Sequence, residues 1–214
     1  MLIDRLQIKV CGLKDPANIS EVAALGPDFI GFNFWPTSKR YVGDDFSADY
    51  HAAVPSEIKR VGVFVNAEVD AVAAVAAHCR LDGIQLHGDE DLEYCRVVKD
   101  LARDKFLIKV LRIEDSLPVE QFKIFSSVSD YFLFDKASVT YGGTGLRFDW
   151  RLLSDYREKT PALVAGGVDE QGIDFIKDLR RVGRTIVGID VNSRVELEPG
   201  LKSTVRIKKV MEHL

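Results

Sequence analysis

The chain has 214 residues, 46% hydrophobic and 29% charged, and its formal net charge of −4 is spread along it without a dense basic block. That is the composition of one large globular domain and argues against nucleic acid as a partner. Residues 1–5 carry no signal-peptide pattern, no apolar run is long enough to cross a bilayer, and Cys11, Cys79 and Cys95 form neither a metal-type pair nor an even disulfide set, so the expectation is a cytoplasmic protein with free thiols and no membrane attachment.

Short β-branched runs alternate with amphipathic stretches from end to end. Residues 6–10 are the first expected strand, closing on Cys11 and the turn Gly12-Leu13-Lys14-Asp15. Pro16 then opens a helix whose apolar residues Ile19, Val22, Ala23 and Leu25 stop at Gly26. A strand over 29–34 leads through Trp35-Pro36-Thr37-Ser38-Lys39 to Arg40, and residues 46–54 give only a short helical pattern. The strand at 60–65 ends on Asn66, and 69–79 repeats apolar residues at helical spacing. Next come a strand at 83–86 ending on His87, a helix over 92–102, a strand at 106–111 and another at 131–134 ending on Asp135. Residues 137–148 read as a long glycine-containing loop. The chain finishes with a strand at 162–165, a helix over 173–182, a strand at 185–191 and a basic run at 202–209 whose helical spacing suggests a solvated face.

Eight strands, each separated from the next by a helical or irregular stretch and with no second domain left over, predict an α/β protein: a closed (β/α)8 TIM barrel of one domain spanning 1–214. An open doubly wound sheet would more often carry a Gly-x-Gly-x-x-Gly turn after its first strand, and none is present. Several strands convert from apolar run to polar tip, which places the chemistry along one rim.

On that rim Cys11 is either a base or nucleophile, or simply a small buried side chain. A thiol of ordinary pKa is only a few per cent ionised at neutrality, so Cys11 serves as a base only where nearby positive charge favours the thiolate. Asp135, after Tyr-Phe-Leu-Phe, is expected to be partly desolvated and therefore suited to general acid work; a salt bridge to Lys136 or Arg147 is the plainer reading. Strands one and six face each other across the mouth of such a barrel. Gly166 and Gly167 follow strand seven, and Asp190 leads to Asn192, Ser193 and Arg194 after strand eight, the two loops that usually seat a phosphate. Arg194 adds a possible charge-assisted contact to it. The planar fork of Arg40 suits a carboxylate, with a solvated loop arginine as the alternative. His87 and Asn66 either meet a ligand or are rim residues bonded to neighbours.

Taken in order, Lys9-Val-Cys-Gly-Leu13, Gly31-Phe-Asn-Phe-Trp-Pro-Thr-Ser-Lys-Arg-Tyr41, Val61-Gly-Val-Phe-Val-Asn66, Gln85-Leu-His-Gly-Asp89, Gly142-Gly-Thr-Gly145 with Phe148-Asp-Trp150, Ala165-Gly-Gly167, Asp190 with Ser193, and Glu196 with Pro199-Gly200 closely resemble the phosphoribosylanthranilate isomerase family of tryptophan biosynthesis. The resemblance implies a cofactor- and metal-free Amadori rearrangement of a small phosphorylated substrate, and the sequence leaves monomer and homodimer both open. It makes Asp135 the general acid and Cys11 the general base, gives Arg40 the substrate carboxylate, and makes Gly145, Gly166, Gly167 and residues 192–194 the phosphate cradle, with His87 and Asp190 at the substrate. Departures are local: Asn192-Ser193-Arg194 stands where many members read Ser-Ser-Gly, and Leu146 with Arg147 replaces a lysine after the sixth-strand glycines. Two rivals stay open here. One is the related isomerase of histidine biosynthesis, which places an aspartate where this chain has Cys11. The other is a barrel that binds a phosphorylated ligand without turning it over.

Overall fold

The computed structural model describes residues 5–137 and 148–214. Eight parallel strands, β1 (Gln7–Cys11), β2 (Phe29–Asn33), β3 (Lys59–Phe64), β4 (Gly83–Leu86), β5 (Phe106–Ile113), β6 (Tyr131–Lys136), β7 (Ala162–Val164) and β8 (Ile186–Val191), pair in chain order and close into a barrel where β8 meets β1. Around it lie α1 (Pro16–Ala23), α2 (Val69–His78), α3 (Leu92–Leu101), α4 (Val119–Phe125), α5 (Glu170–Arg181) and α6 (Thr204–Met211). Every expected strand is found within two residues of its expected ends.

Local chemistry explains where the helices begin. Asp15, Asp91, Asp169 and Ser203 each accept a hydrogen bond from the backbone N–H three residues on, capping α1, α3, α5 and α6. Pro16 occupies the first turn of α1, where its missing N–H costs nothing. The weak second unit is a single 3-10 turn, Ala48–His51, opened by Ser47; Pro55, a few residues on, leaves no room for a full helix. After β6 the helix is again replaced by a 3-10 segment, Trp150–Asp155, whose buried indole packs on α5 where Gly172 leaves space for it.

The expected solvated face at 202–209 needs correcting at its first residue. Lys202 lies not on α6 but in a small antiparallel hairpin, β9 (Glu196–Glu198) with β10 (Leu201–Lys202), and its side chain is fully buried against Glu196. The remaining lysines of the run, Lys208 and Lys209, are exposed on α6.

Side chains of the barrel sort into two apolar groups. Alternate strand residues such as Ile8, Val10, Ile189 and Val191 point outward beneath the helices. Phe29, Val61, Ile108, Val110, Leu133, Leu163 and Ala165 fill the interior, with Phe106 and Tyr131 against them. The rings of Phe29, Phe106 and Tyr131 meet edge to face at 5.8–6.0 Å near the N-terminal ends of β2, β5 and β6 and plug that mouth. The barrel therefore opens only toward the C-terminal ends of its strands. Among the described residues no helix is long and apolar enough to cross a membrane.

Candidate active site

A cavity of about 590 Å³ lies over the C-terminal ends of the strands, and Cys11, Arg40, His87, Asp135, Gly166, Gly167, Asp190, Asn192, Ser193 and Arg194 all line it. Of the candidate site residues Gly145 is not placed, because it lies outside the described residues, as do Gly142, Leu146 and Arg147 of the same loop. Asn66 is the one rim residue that turns away. Its backbone adopts φ +48°, its N–H donates to Glu90, and its side-chain oxygen accepts from Asp89 N–H, so it shapes the neighbouring loops.

Cys11 ends β1 on the inner face, 5% exposed but open to the cavity. Two residues earlier on the same face Lys9 is fully buried, its ammonium 2.7 Å from Asp190 on β8. Burial pushes the Cys11 thiol above its ordinary value; Lys9 pulls it back down, while Asp190 adds to the upward shift. Burial likewise raises the Asp190 carboxyl against the opposing pull of Lys9.

Asp135 enters from β6, which β7 and β8 separate from the strand of Cys11. Its Oδ1 accepts from the backbone N–H of Lys136 at 2.8 Å, and its Oδ2 lies 3.5 Å from His87 Nε2. His87 is oriented in turn by Gln85, whose amide nitrogen stands 3.0 Å from Nδ1. With the amide donating, the imidazole proton sits on Nε2 and faces the carboxylate. Asp135 thus uses a backbone N–H and an imidazole, and the Arg147 named as an alternative partner lies outside the described residues.

Arg40 is neither solvated nor free. Glu196 takes its Nε at 2.8 Å and one terminal nitrogen at 2.7 Å, and the same carboxylate receives Lys202 Nζ at 2.6 Å and Gly200 N–H at 3.1 Å. Lys202 also reaches the side-chain oxygen of Asn192 at 2.7 Å, tying the hairpin to the loop after β8. Burial drives the Lys202 ammonium down to about 8 even with Glu196 beside it. The Glu196 carboxyl sits below its ordinary range, because its bonds to Arg40 and Lys202 together outweigh its burial.

The loops after β7 and β8 owe their shape to backbone conformation. Gly166 and Gly167 adopt φ +81° and +64°, values that a residue with a Cβ reaches only with strain, and Ser193 opens a 3-10 turn after Asn192. Arg206 of α6 also lines the cavity, its guanidinium bonded to the backbone oxygen of Glu196. Under the rim, Glu90 accepts from the N–H groups of Asn66 and Gly88 and pairs with buried Lys109 at 2.7 Å, so the residue after His87 is held from below. Among the described residues no group of three or more His, Cys, Asp or Glu side chains is placed to hold a metal ion.

Lys9, Gln85, Glu196, Lys202 and Arg206 are among the residues in and under the site to which sequence reasoning gave no role there. For Lys9 and Gln85 a signal exists: each stands two residues before a rim side chain on a strand, hence on the same face.

A closed barrel with its open mouth, its ionisable groups and its positive-φ glycines all at the C-terminal rim defines a (β/α)8-barrel enzyme. Residues 8–213 match the family model described as N-(5'phosphoribosyl)anthranilate (PRA) isomerase. The N-(5'-phosphoribosyl)anthranilate isomerase of Parabacteroides distasonis is 39% identical over 209 residues, covering 97% of this chain and 92% of that one. The crystal structure of the phosphoribosyl anthranilate isomerase from Thermotoga maritima superposes with a TM-score of 0.84 at 30% identity, covering 98% of each chain. A structure of the isomerase in complex with reduced 1-(o-carboxyphenylamino)-1-deoxyribulose 5-phosphate gives 0.79 at 28% identity over 98% of each. The chain belongs to the N-(5'-phosphoribosyl)anthranilate isomerase family.

Proposed function

We propose that this chain, acting as one barrel domain over residues 1–214, converts N-(5'-phosphoribosyl)anthranilate to 1-(2-carboxyphenylamino)-1-deoxyribulose 5-phosphate in tryptophan biosynthesis, with Asp135 as general acid and Cys11 as general base. The observation that carries this reading is that the two groups, on β6 and β1 with β7 and β8 between them, line one cavity. In the first step Asp135 gives its proton to the ribose ring oxygen; the bond from that oxygen to the anomeric carbon breaks and the nitrogen lone pair forms the iminium. The Cys11 thiolate then takes the proton from the second sugar carbon. The pair of electrons released neutralises the iminium and leaves an enolamine, which tautomerises to the ketone. His87, facing Asp135, steadies the carboxyl in its donating geometry.

Binding follows from charge and shape. Gly166, Gly167 and residues 192–194 line the cavity; in this reading their backbone N–H groups receive the phosphate, and Arg194 and Arg206, which line it too, add positive charge beside it. Arg40, with one edge of its fork on Glu196, offers its remaining N–H groups to the anthranilate carboxylate. The histidine-pathway rival is disfavoured by the thiol at position 11 and by the family match. Alanine at Cys11 or Asp135 is expected to lower turnover by about 10²–10⁴ with the fold intact, the usual reach of a positioned acid or base. Near-normal turnover by either purified variant would reject the roles, and no turnover by the unaltered protein despite calorimetric binding would favour a binding-only barrel.

A further inference from the structure

Lys9 is a lysine with no exposed surface inside a barrel filled mostly by apolar side chains, and its carboxylate partner is Asp190. A buried ion pair of this kind adds little stability over an apolar pair of similar volume, so its presence asks for another reason. The reason lies one step up the strand. Lys9 and Cys11 share the inner face of β1, and the residue registered beside Cys11 on β2 is Gly31. A Cβ on Gly31 would stand 2.9 Å from Cys11 Sγ and 3.3 Å from Lys9 Nζ. The backbone of Gly31 does not adopt positive φ, so its glycine supplies space and not conformational freedom. Into that space both head groups converge.

We propose that Lys9 is the positioning residue that makes Cys11 a base: its ammonium, anchored on Asp190, is shared between that carboxylate and the thiol and neutralises the thiolate as it forms. The proposal rests on reading Cys11 as the base of the isomerisation. The thiol proton leaves to solvent while the site is empty, the thiolate takes the proton of the second sugar carbon, and Lys9 stays charged throughout. Other groups modulate this balance. Lys202 and Arg40 also bear on the thiol with the same sign as Lys9, and Asp135 and His87 act on Asp190. Asp190 acts in the contrary direction, both by its own charge and by holding the ammonium.

The test is the pH dependence of alkylation of Cys11 by iodoacetamide, read on the Cys11 peptide by mass spectrometry so that Cys79 and Cys95 do not interfere. The reagent is small enough for the cavity, and the readout needs no turnover. Lys9→Met is expected to move the alkylation midpoint upward and to slow the reaction near neutral pH by about tenfold or more, which corresponds to one pK unit of thiolate fraction. Asp190→Asn, which frees the ammonium for the thiol, is expected to speed it. A purely structural ion pair predicts that both changes act in the same direction. Should Lys9→Met fail to fold, Lys9→Met/Asp190→Asn leaves no uncompensated buried charge, and its midpoint is still expected above that of the unaltered protein. Midpoints that stay put, or single variants that shift together, would overturn the proposal while Cys11→Ala remained inactive. Turnover retained by Cys11→Ala would overturn the base reading and the proposal with it, whatever the alkylation shows.

Discussion

Glu196→Gln tests the rim network most sharply. The carboxylate is 6% exposed and accepts four hydrogen bonds, two from Arg40 and one each from Lys202 and Gly200. An amide has one accepting oxygen and turns an NH2 toward a cation, so at least one charge-assisted bond is lost and two cations are left facing each other. Removing one member of a buried pair typically costs about 3–5 kcal/mol. Lys202 limits that cost: its ammonium, already held to about 8 beside Glu196, loses its proton more readily without the carboxylate and so relieves the repulsion. The low end, about 3 kcal/mol, is therefore expected, and for a domain of this size it lowers Tm by roughly 6–12 °C. Thermal melts followed by circular dichroism at neutral pH measure it. The pH dependence carries a sign. Because the Glu196 carboxyl is depressed in the folded state, its contribution is present above its ordinary titration range and lost as pH falls through the folded value. The melts of the two proteins should converge in acid. A Tm difference under about 2 °C at neutral pH, or curves that stay parallel down to acid, would refute the assignment of Glu196 as the residue that binds hairpin to rim.

Three further outcomes follow from the same geometry. Above a pH of about 8 Lys202 becomes neutral and the rim loses a positive charge, so KM for a substrate that carries both a phosphate and a carboxylate should rise there while both stay ionised; a KM flat to a pH of about 9.5 would count against it. Gly12, at φ +79°, turns β1 toward the rim, and a Cβ there would stand 2.6 Å from Arg40 Cδ and 2.9 Å from Asn192 Oδ1. Gly12→Ala is expected to cost roughly 1–3 kcal/mol in urea melts and to raise KM, and unchanged values of both would reject the close approach. Gly172→Ala, which in an open helix would gain about 1 kcal/mol, is expected to destabilise here because the new methyl meets Trp150 at 2.2 Å; a raised melting temperature would reject that packing.

The barrel was readable because parallel strands between helices leave two strong marks, a short β-branched run and a polar residue where the run reaches the rim. Cys11, His87, Asp135 and Asp190 all carry that second mark, and all four line the cavity. The irregular units were legible as weakness only. Residues 46–54 hold too little apolar spacing for a helix, and the outcome, one 3-10 turn between Ser47 and Pro55, is set by its punctuation more than by periodicity. The β9–β10 hairpin was not foreseen. Its strands have three and two residues, and it is held across the fold by Arg40 on Glu196 and by Asn18 on the Lys202 backbone, contacts no local pattern announces.

The buried lysines escaped for a different reason. In a half-exposed sheet, alternation separates inner from outer residues, but helices cover the outside of this barrel, so both faces are apolar and β1 and β5 are buried nearly throughout. A lysine in such a run gives no sign of which way it points, and composition alone assigns it to the surface. The structure turns Lys9 inward to Asp190 and Lys109 outward, under the rim, to Glu90, with the Lys109 ammonium 5.6 Å from the Phe125 ring. Each cation with its carboxylate joins two segments that the chain itself does not join: β1 to β8, and β5 to the loop after His87. Lys202 with Glu196 and Arg40 does the same for the hairpin and the loop after β2. Pairs so poor as a source of net stability persist where position matters more than energy, and here each lies within one or two residues, or one contact, of Cys11, His87 or Arg40. A buried lysine two residues before a rim side chain on a barrel strand is therefore a feature to read as part of the site.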